Sequence, residues 1–239
     1  MLANDVAVEQ TVYGDRGVLA SLGNGAIHVS SSTISIALSA RLTADHGMKG
    51  QGFVAAPVLG RPDVAAGGKL FVIAAGETSA TKTVMPLLEA IGQRTFVVSP
   101  TPKTANLVKL SGNFLIASVM ESLGEAMALV GKGGVDRAQY FEILTSTLFD
   151  APVYKTYGGL IAREAFEPAG FAAPLGEKDF GLALAASEEL RVPMPFAGIL
   201  RDRFLTLPAN GGEQLDWSAI GGLAASDAGI AKRSATASK

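Results

Sequence analysis

Hydrophobic and polar positions change rhythm near residue 100. Before that point, short runs rich in β-branched and aromatic residues alternate with helix-spaced segments. Residues 26–30 read as a strand running into the polar cluster Ser31-Ser32-Thr33, and residues 34–46 as a helix ended near Gly47. Residues 52–58 read as a strand closed by Pro57. Residues 70–76 form a continuous apolar run of the kind a strand buried on both faces requires. A helix over 78–91, with Gly92 as its stop, and a strand over 95–98 complete the set. Strands alternating with helices predict an α/β layer with a largely parallel sheet.

After residue 100 the pattern is helical throughout. Thr101-Pro102 pairs a capping residue with a proline at the first helical position. The helix it starts runs to about Gly131 and is apolar on most faces (Leu107, Leu110, Phe114, Leu115, Val119, Leu123, Leu129), which marks a central helix. Further helices are predicted over 137–147, 152–162, 177–189, 196–207 and 216–225. Residues 226–239 hold few large apolar side chains and read as a flexible tail. The expected organisation is an α/β domain over 1–100 and an all-helical domain over 101–225, joined through one long helix.

Composition removes several function classes. With 48% hydrophobic and 18% charged residues the chain can bury a substantial core, and its net charge of -2 argues against a nucleic-acid partner held by a basic surface. There is no cysteine, so thiolate catalysis and Cys-ligated metals are excluded. The two histidines, His28 and His46, fall in different elements, and no metal site is expected. Residues 1–10 carry Asp5 and Glu9 and have neither a basic start nor an apolar run. Residues 107–130 are interrupted by Lys109, Asn113, Glu121 and Glu125. Neither a secretory leader nor a membrane span is expected, and the expected location is the cytoplasm.

Four groups of residues stand out chemically. Lys109 and Asn113 are spaced i, i+4 and share one helix face. Inside so apolar a helix an ammonium is partly desolvated, which lowers its pKa toward the range useful for acid–base work. The same spacing fits a snorkelling lysine beside a packing amide. Ser31-Ser32-Thr33 lies at the carboxyl end of a predicted parallel strand, the edge where open α/β sheets bind ligands; it equally fits a helix N-cap supplied by Ser32 or Thr33. Gly60 and Arg61 end the next strand, where glycine permits close backbone approach and arginine can clamp a carboxylate; a surface turn is the other reading. Lys178 starts a predicted helix and can reach an anionic group or simply face solvent. Neither Gly23-Asn24-Gly25 nor Gly131-Lys132-Gly133-Gly134 lies between a strand and a helix as a Gly-x-Gly-x-x-Gly dinucleotide loop must.

Taken in order, Ser32-Thr33-Ile34-Ser35, Ala56-Pro57-Val58-Leu59-Gly60, Gly68-Lys69-Leu70, Pro86-Leu87-Leu88, Lys109-Leu110-x-x-Asn113, Glu125-Ala126 and Lys178-Asp179 resemble the 3-hydroxyisobutyrate (β-hydroxyacid) dehydrogenase family across about residues 1–225. The resemblance implies a Rossmann domain followed by a helical domain. It also implies NAD or NADP as cofactor, and hydride transfer to or from a small hydroxyacid or its aldehyde or keto partner. By this analogy Lys109 is the general acid/base and Asn113 orients the substrate. Ser32, Thr33, Gly60 and Arg61 line the substrate, and Leu2, Asn4, Ser32 and Lys178 lie on the cofactor side. A homo-oligomer formed through the helical domain is also expected, from apolar surface left uncovered on a single copy.

The sequence departs from the family pattern in three places. Leu59 stands where the family carries a serine for the substrate carboxylate. Lys103-Thr104-Ala105-Asn106-Leu107-Val108 replaces a glycine-rich approach to the lysine. Residues 1–5 resemble the end of the fourth Rossmann strand, so the glycine loop expected about sixty-five residues upstream is not in this chain, and weak binding of cofactor by the chain alone is the expectation. That fourth strand would also leave residues 26–30 at a nearly unpaired sheet edge, with Val29, Val54 and Val72 under-covered. Two other readings remain at this point: a cofactor-less fragment or oligomerisation module, and an imine reductase. Those reductases share the architecture but usually lack the lysine, so Lys109 counts against the second.

Overall fold

The computed structural model describes residues 1–230; the last nine residues of the predicted tail lie outside the described residues. The chain forms two compact units. The first comprises Met1–Asn113 and Lys178–Pro193, the second Phe114–Glu177 and the chain from Met194 onward. The boundary therefore falls inside the long helix rather than at residue 100, because the first three turns of that helix bury their apolar side chains in the core of the α/β unit.

Five strands make the sheet of the first unit: β1 (Ile27–Ser30), β2 (Gly52–Ala55), β3 (Val58–Leu59), β4 (Leu70–Gly76) and β5 (Gly92–Ser99). Their order is β1-β2-β4-β3, with β5 also paired to β4. The longer ladders, β1–β2 and β4–β5, are parallel, while β4 meets β2 and β3 through short antiparallel pairings. Strand periodicity of two sends alternate side chains to opposite faces. Phe53, Ala55, Ile73 and Ala75 enter one core cluster with Ile34, Leu38 and Leu42. Val54, Ala56, Val72 and Ala74 enter another with Ala80, Val84 and Leu88. Helix α3 (Ile36–Met48) thus covers one face and α5 (Thr78–Ile91) the other, which is why β4 is buried along its length except at Phe71.

This covering overturns the expectation of bare sheet: Val54 and Val72 are fully buried and Val29 is half-buried. Strand β1 does lie at the edge of the strand order, paired among the described residues with β2 alone. Pro57 ends β2, as its missing N–H demands, but the chain turns there and pairs again as β3. Gly92 adopts extended φ/ψ and opens β5 directly instead of capping α5 in a left-handed turn. A Cβ at Gly92 would lie 2.7 Å from the Leu70 carbonyl oxygen, so the close approach of β5 to β4 requires glycine.

Three short helices of this unit escape the sequence reading: α1 (Asp5–Tyr13), α2 (Val18–Ser21) and α4 (Pro62–Ala66). Helix α1 offers only two buried anchors, Val8 and Val12, too few to stand out as a hydrophobic stripe. It is secured instead by its cap, the Asn4 side chain accepting from the Ala7 N–H. Residues 4 and 5 therefore open a helix rather than continuing a strand and its loop.

The remaining helices are α6 (Lys103–Lys132), α7 (Arg137–Thr145), α8 (Pro152–Arg163), α9 (Ala173–Glu189), α10 (Pro195–Ala209) and α11 (Ile220–Asp227), with a 3-10 turn at Trp217–Ala219. Ser226 and Asp227, placed in the tail by the sequence reading, close α11. In the second unit Trp217 is ringed by Tyr157, Phe171 and Phe204. Helices α6 and α11 touch backbone to backbone where Gly124 faces Gly221. Helix α6 is long and apolar enough to cross a membrane by length and composition. Its Ala117, Met120, Leu123 and Met127 are instead buried in the protein, and its buried Glu121 pairs with Arg203.

Candidate active site

On helix α6 the successive 100° steps place Gly112, Ala105, Lys109, Asn113, Asn106 and Leu110 in that angular order. The Ala105 side packs into the core beside β2 and β4, and the Leu110 side against Ile36, Ala183 and Ala186. Lys109 sits between these two packed flanks, half-buried. Its Nζ donates to Asn113 Oδ1 at 2.9 Å. The amide's other end, Nδ2, donates to Asp179 Oδ2 at 2.6 Å. Asp179 also forms an ion pair with Lys178, and Lys178 Nζ donates to the Thr33 carbonyl oxygen at 2.9 Å. A continuous polar chain, Lys109–Asn113–Asp179–Lys178–Thr33, thus runs from α6 through α9 to the turn after β1.

Burial governs its electrostatics. The Lys109 pKa is lowered to about 8, chiefly by desolvation, with Lys178 adding repulsion and Asp179 opposing the shift. Burial likewise raises the Asp179 carboxyl, against the pull of Lys178, Lys109 and Asn113. Both groups are pushed toward neutrality, as partners in a poorly solvated pair are. Near neutral pH Lys109 is mostly protonated yet within about a unit of releasing its proton, the condition a general acid/base needs.

The other expected residues fall as follows. The cap of α3 is Ser35, whose side chain accepts from the Leu38 N–H. The helix begins at Ile36, two residues later than predicted, so Ser32 and Thr33 are not its caps. Ser32 is buried, and its Oγ accepts the Leu2 N–H at 2.7 Å. Leu2 is thereby joined to the turn through its backbone. Asn4 spends its side-chain oxygen on the α1 cap. Gly60 has φ +146°, and a Cβ there would meet Leu70 and Val64; its glycine serves the turn. Arg61 is the N-cap residue of α4. The β3 strand nevertheless reaches α6, since Leu59 Cδ2 lies 3.5 Å from where a Gly112 Cβ would stand. Lys178 is in the second turn of a helix that starts at Ala173, not at its N-terminus.

Lys178 stands out in the sequence, whereas Asp179 does not. The available signal was a carboxylate followed at once by Phe180, Leu182, Ala183 and Leu184, an acid on a helix otherwise suited to burial. Its partner Asn113 is 66 residues away, and no local pattern reveals that pairing. Among the described residues no group of three or more His, Asp or Glu could hold a metal ion.

Comparison with known proteins finds relatives that span both units. Residues 1–99 match the family described as the NAD binding domain of 6-phosphogluconate dehydrogenase. Residues 104–224 match that described as NAD-binding of NADP-dependent 3-hydroxyisobutyrate dehydrogenase. The uncharacterized oxidoreductase YfjR of Bacillus subtilis is 44% identical over 220 residues, covering 92% of this chain and 77% of YfjR. Glyoxylate/succinic semialdehyde reductase 1 of Arabidopsis thaliana is 29% identical over 220 residues, covering 92% of this chain and 75% of that protein. A crystal structure of 3-hydroxyisobutyrate dehydrogenase from Salmonella typhimurium superposes with a TM-score of 0.83 at 25% identity, over 93% of this chain and 77% of that one. An α/β unit and a helical unit joined by the helix that carries Lys109, matched along nearly the whole chain by these relatives, place the protein in the 3-hydroxyisobutyrate dehydrogenase family of NAD(P)-dependent oxidoreductases.

Proposed function

We propose that Lys109 is the general acid/base of a reductase or dehydrogenase acting on a small hydroxyacid or its aldehyde or keto partner. The carrying observation is the half-buried ammonium held by Asn113 on the face of α6, with a pKa lowered to about 8. In reduction Lys109 gives its proton to the carbonyl oxygen; in oxidation the neutral amine takes the proton from the hydroxyl. Asn113 has one amide end on Lys109 and the other on Asp179, so in this arrangement it orients the lysine more directly than the substrate.

Bound nicotinamide supplies or accepts the hydride. The hydroxyls of Ser32 and Thr33, at the carboxyl end of β1, offer donor and acceptor sites matched to an amide such as nicotinamide carries. Lys178 braces the same turn through the Thr33 carbonyl. Gly60 and Arg61 are proposed on the substrate side, where β3 meets α6 through Leu59. Leu2 acts through its backbone hold on Ser32, and Asn4 by fixing the start of α1 beside it. We further propose a soluble, cytoplasmic protein with neither nucleic-acid nor membrane partner, and assembly of copies through exposed apolar residues of the helical unit such as Leu129 and Leu148.

The test is Lys109→Ala, assayed with NADH and NADPH against glyoxylate, succinic semialdehyde and related small carbonyl acids. Turnover should fall about 10²-fold or more, the usual scale for a general acid/base. Reduction by the unmodified protein should lose rate as pH rises through about 8, while oxidation gains it. Near-normal turnover of the alanine variant would refute the role.

A further inference from the structure

We propose that Asp179 is a positioning residue: it fixes which way the Asn113 amide faces and thereby presents the Lys109 ammonium in one orientation. The proposal rests on Lys109 being the proton-exchanging group, but its geometry stands by itself.

A carboxylate only accepts hydrogen bonds and an ammonium only donates them. Asn113 lies between one of each. With Nδ2 toward Asp179 and Oδ1 toward Lys109 both contacts are favourable, at 2.6 and 2.9 Å. Flipped, the amide would set its oxygen against the carboxylate and its NH2 against the ammonium. Asp179 is only 2% exposed, so water cannot substitute for the lost partner, and charge-assisted bonds in such surroundings are the strong kind.

Asp179 is itself held. Its second oxygen pairs with Lys178, and Lys178 is tied to the Thr33 carbonyl. The orientation of Lys109 is therefore referred, through one carboxylate, to the turn that ends β1. The charged groups acting on Lys109 are Asp179 and Lys178, both from α9. Without the carboxylate, the charge among the described residues that still acts on Lys109 is the positive one of Lys178. Neutralising Asp179 should then both free the Asn113 amide to flip and make the Lys109 ammonium easier to deprotonate.

The experiment is a 13C NMR titration of the whole protein carrying lysine labelled at Cε, with the Lys109 resonance assigned by its absence in Lys109→Arg. In the unsubstituted protein Lys109 should titrate near pH 8. In Asp179→Asn, which keeps size and shape, the midpoint should fall by about one unit. The pH limb of turnover should move with it, and kcat should drop more than KM changes. Asp179→Glu, which restores the charge, should return the midpoint toward its starting value. A residue that merely stabilised the fold would lower the melting temperature and leave the midpoint alone. An unchanged midpoint in folded Asp179→Asn would overturn the proposal.

A second measurement needs no substitution. The Asn113 side-chain NH2 should exchange with solvent far more slowly than exposed asparagines, and exchange at the free rate would also overturn the proposal. If Lys109→Ala kept its activity while the Asp179→Asn midpoint shifted, the catalytic reading would fail and the positioning would stand.

Discussion

The half-buried His28 and the buried His46 form a chain whose proton positions follow from its partners, and a pH-dependent stability follows from it. Gln51 Nε2 donates to the carbonyl oxygens of Leu19 and Leu22, using both amide protons and leaving Oε1 as an acceptor. His46 Nδ1, 2.7 Å from that oxygen, must therefore carry a proton. In the neutral pair His46 Nε2 is then an acceptor, and His28 Nδ1, 2.9 Å away, is the donor. The chain ties the turn after α2 to α3 and β1. A further proton places a cation in poorly solvated surroundings, and the His28 pKa is lowered to about 4, first by desolvation and then by His46.

A histidine with a depressed folded pKa binds fewer protons folded than unfolded between the two values. Stability from this site is thus fully present above about 6.5 and is lost progressively as pH falls toward 4. At about 1.4 kcal/mol per unit the loss is at most about 3 kcal/mol, and about half that once the partial exposure of His28 is allowed for. The raised carboxyls of Glu121 and Asp179 act with the opposite sign, so the measurement is a difference. Urea unfolding between pH 4 and 7 is compared for the protein and for His28→Asn, whose amide can still donate to His46 but does not titrate. The stability of the variant should fall less over this range, by about 1 to 2 kcal/mol. Equal pH dependence in both would show that His28 is not the titrating group.

Three further outcomes are expected. Gly124→Ala would drive a methyl into the backbone of Gly221, within 2.7 Å of its Cα and carbonyl carbon. Because α6 and α11 would have to separate, a loss of about 3 kcal/mol or more is expected in denaturant titration, and a cost below 1 kcal/mol would contradict the close contact. Arg203→Ala leaves Glu121, 0% exposed, without its guanidinium. A loss of about 3–5 kcal/mol should be measured by thermal melting, and largely recovered in the Glu121→Leu/Arg203→Met double variant, since it is the unpaired buried charge that is costly. Leu42→Ala, at a fully buried position on α3, should cost about 2–5 kcal/mol and loosen the first unit, read as faster hydrogen exchange in β2 and β4.

Elements whose stability is local or whose burial is complete can be read from the sequence. The apolar run at β4, the alternation of strands and helices, and the thirty-residue helix α6 with Lys109 and Asn113 on one face are all readable, because periodicity reports burial wherever an element is covered along its length. The motif order was enough to point to the family. The features that required the folded chain depend on partners distant in sequence. Helices α1, α2 and α4 carry too few apolar anchors to announce themselves and form against surfaces supplied by other segments. The division into units falls within α6 because its first turns bury against the α/β core. Gly92 and Gly124 are ordinary glycines in sequence; their necessity comes from the backbones of β4 and α11. Asp179 completes the candidate site from 66 residues beyond Asn113, and Ser32 and Thr33, plausible caps by position, are displaced from that role by Ser35. A hydrogen bond across such a distance leaves no mark on local composition, so the direction in which a polar side chain spends its bonds had to come from the folded chain.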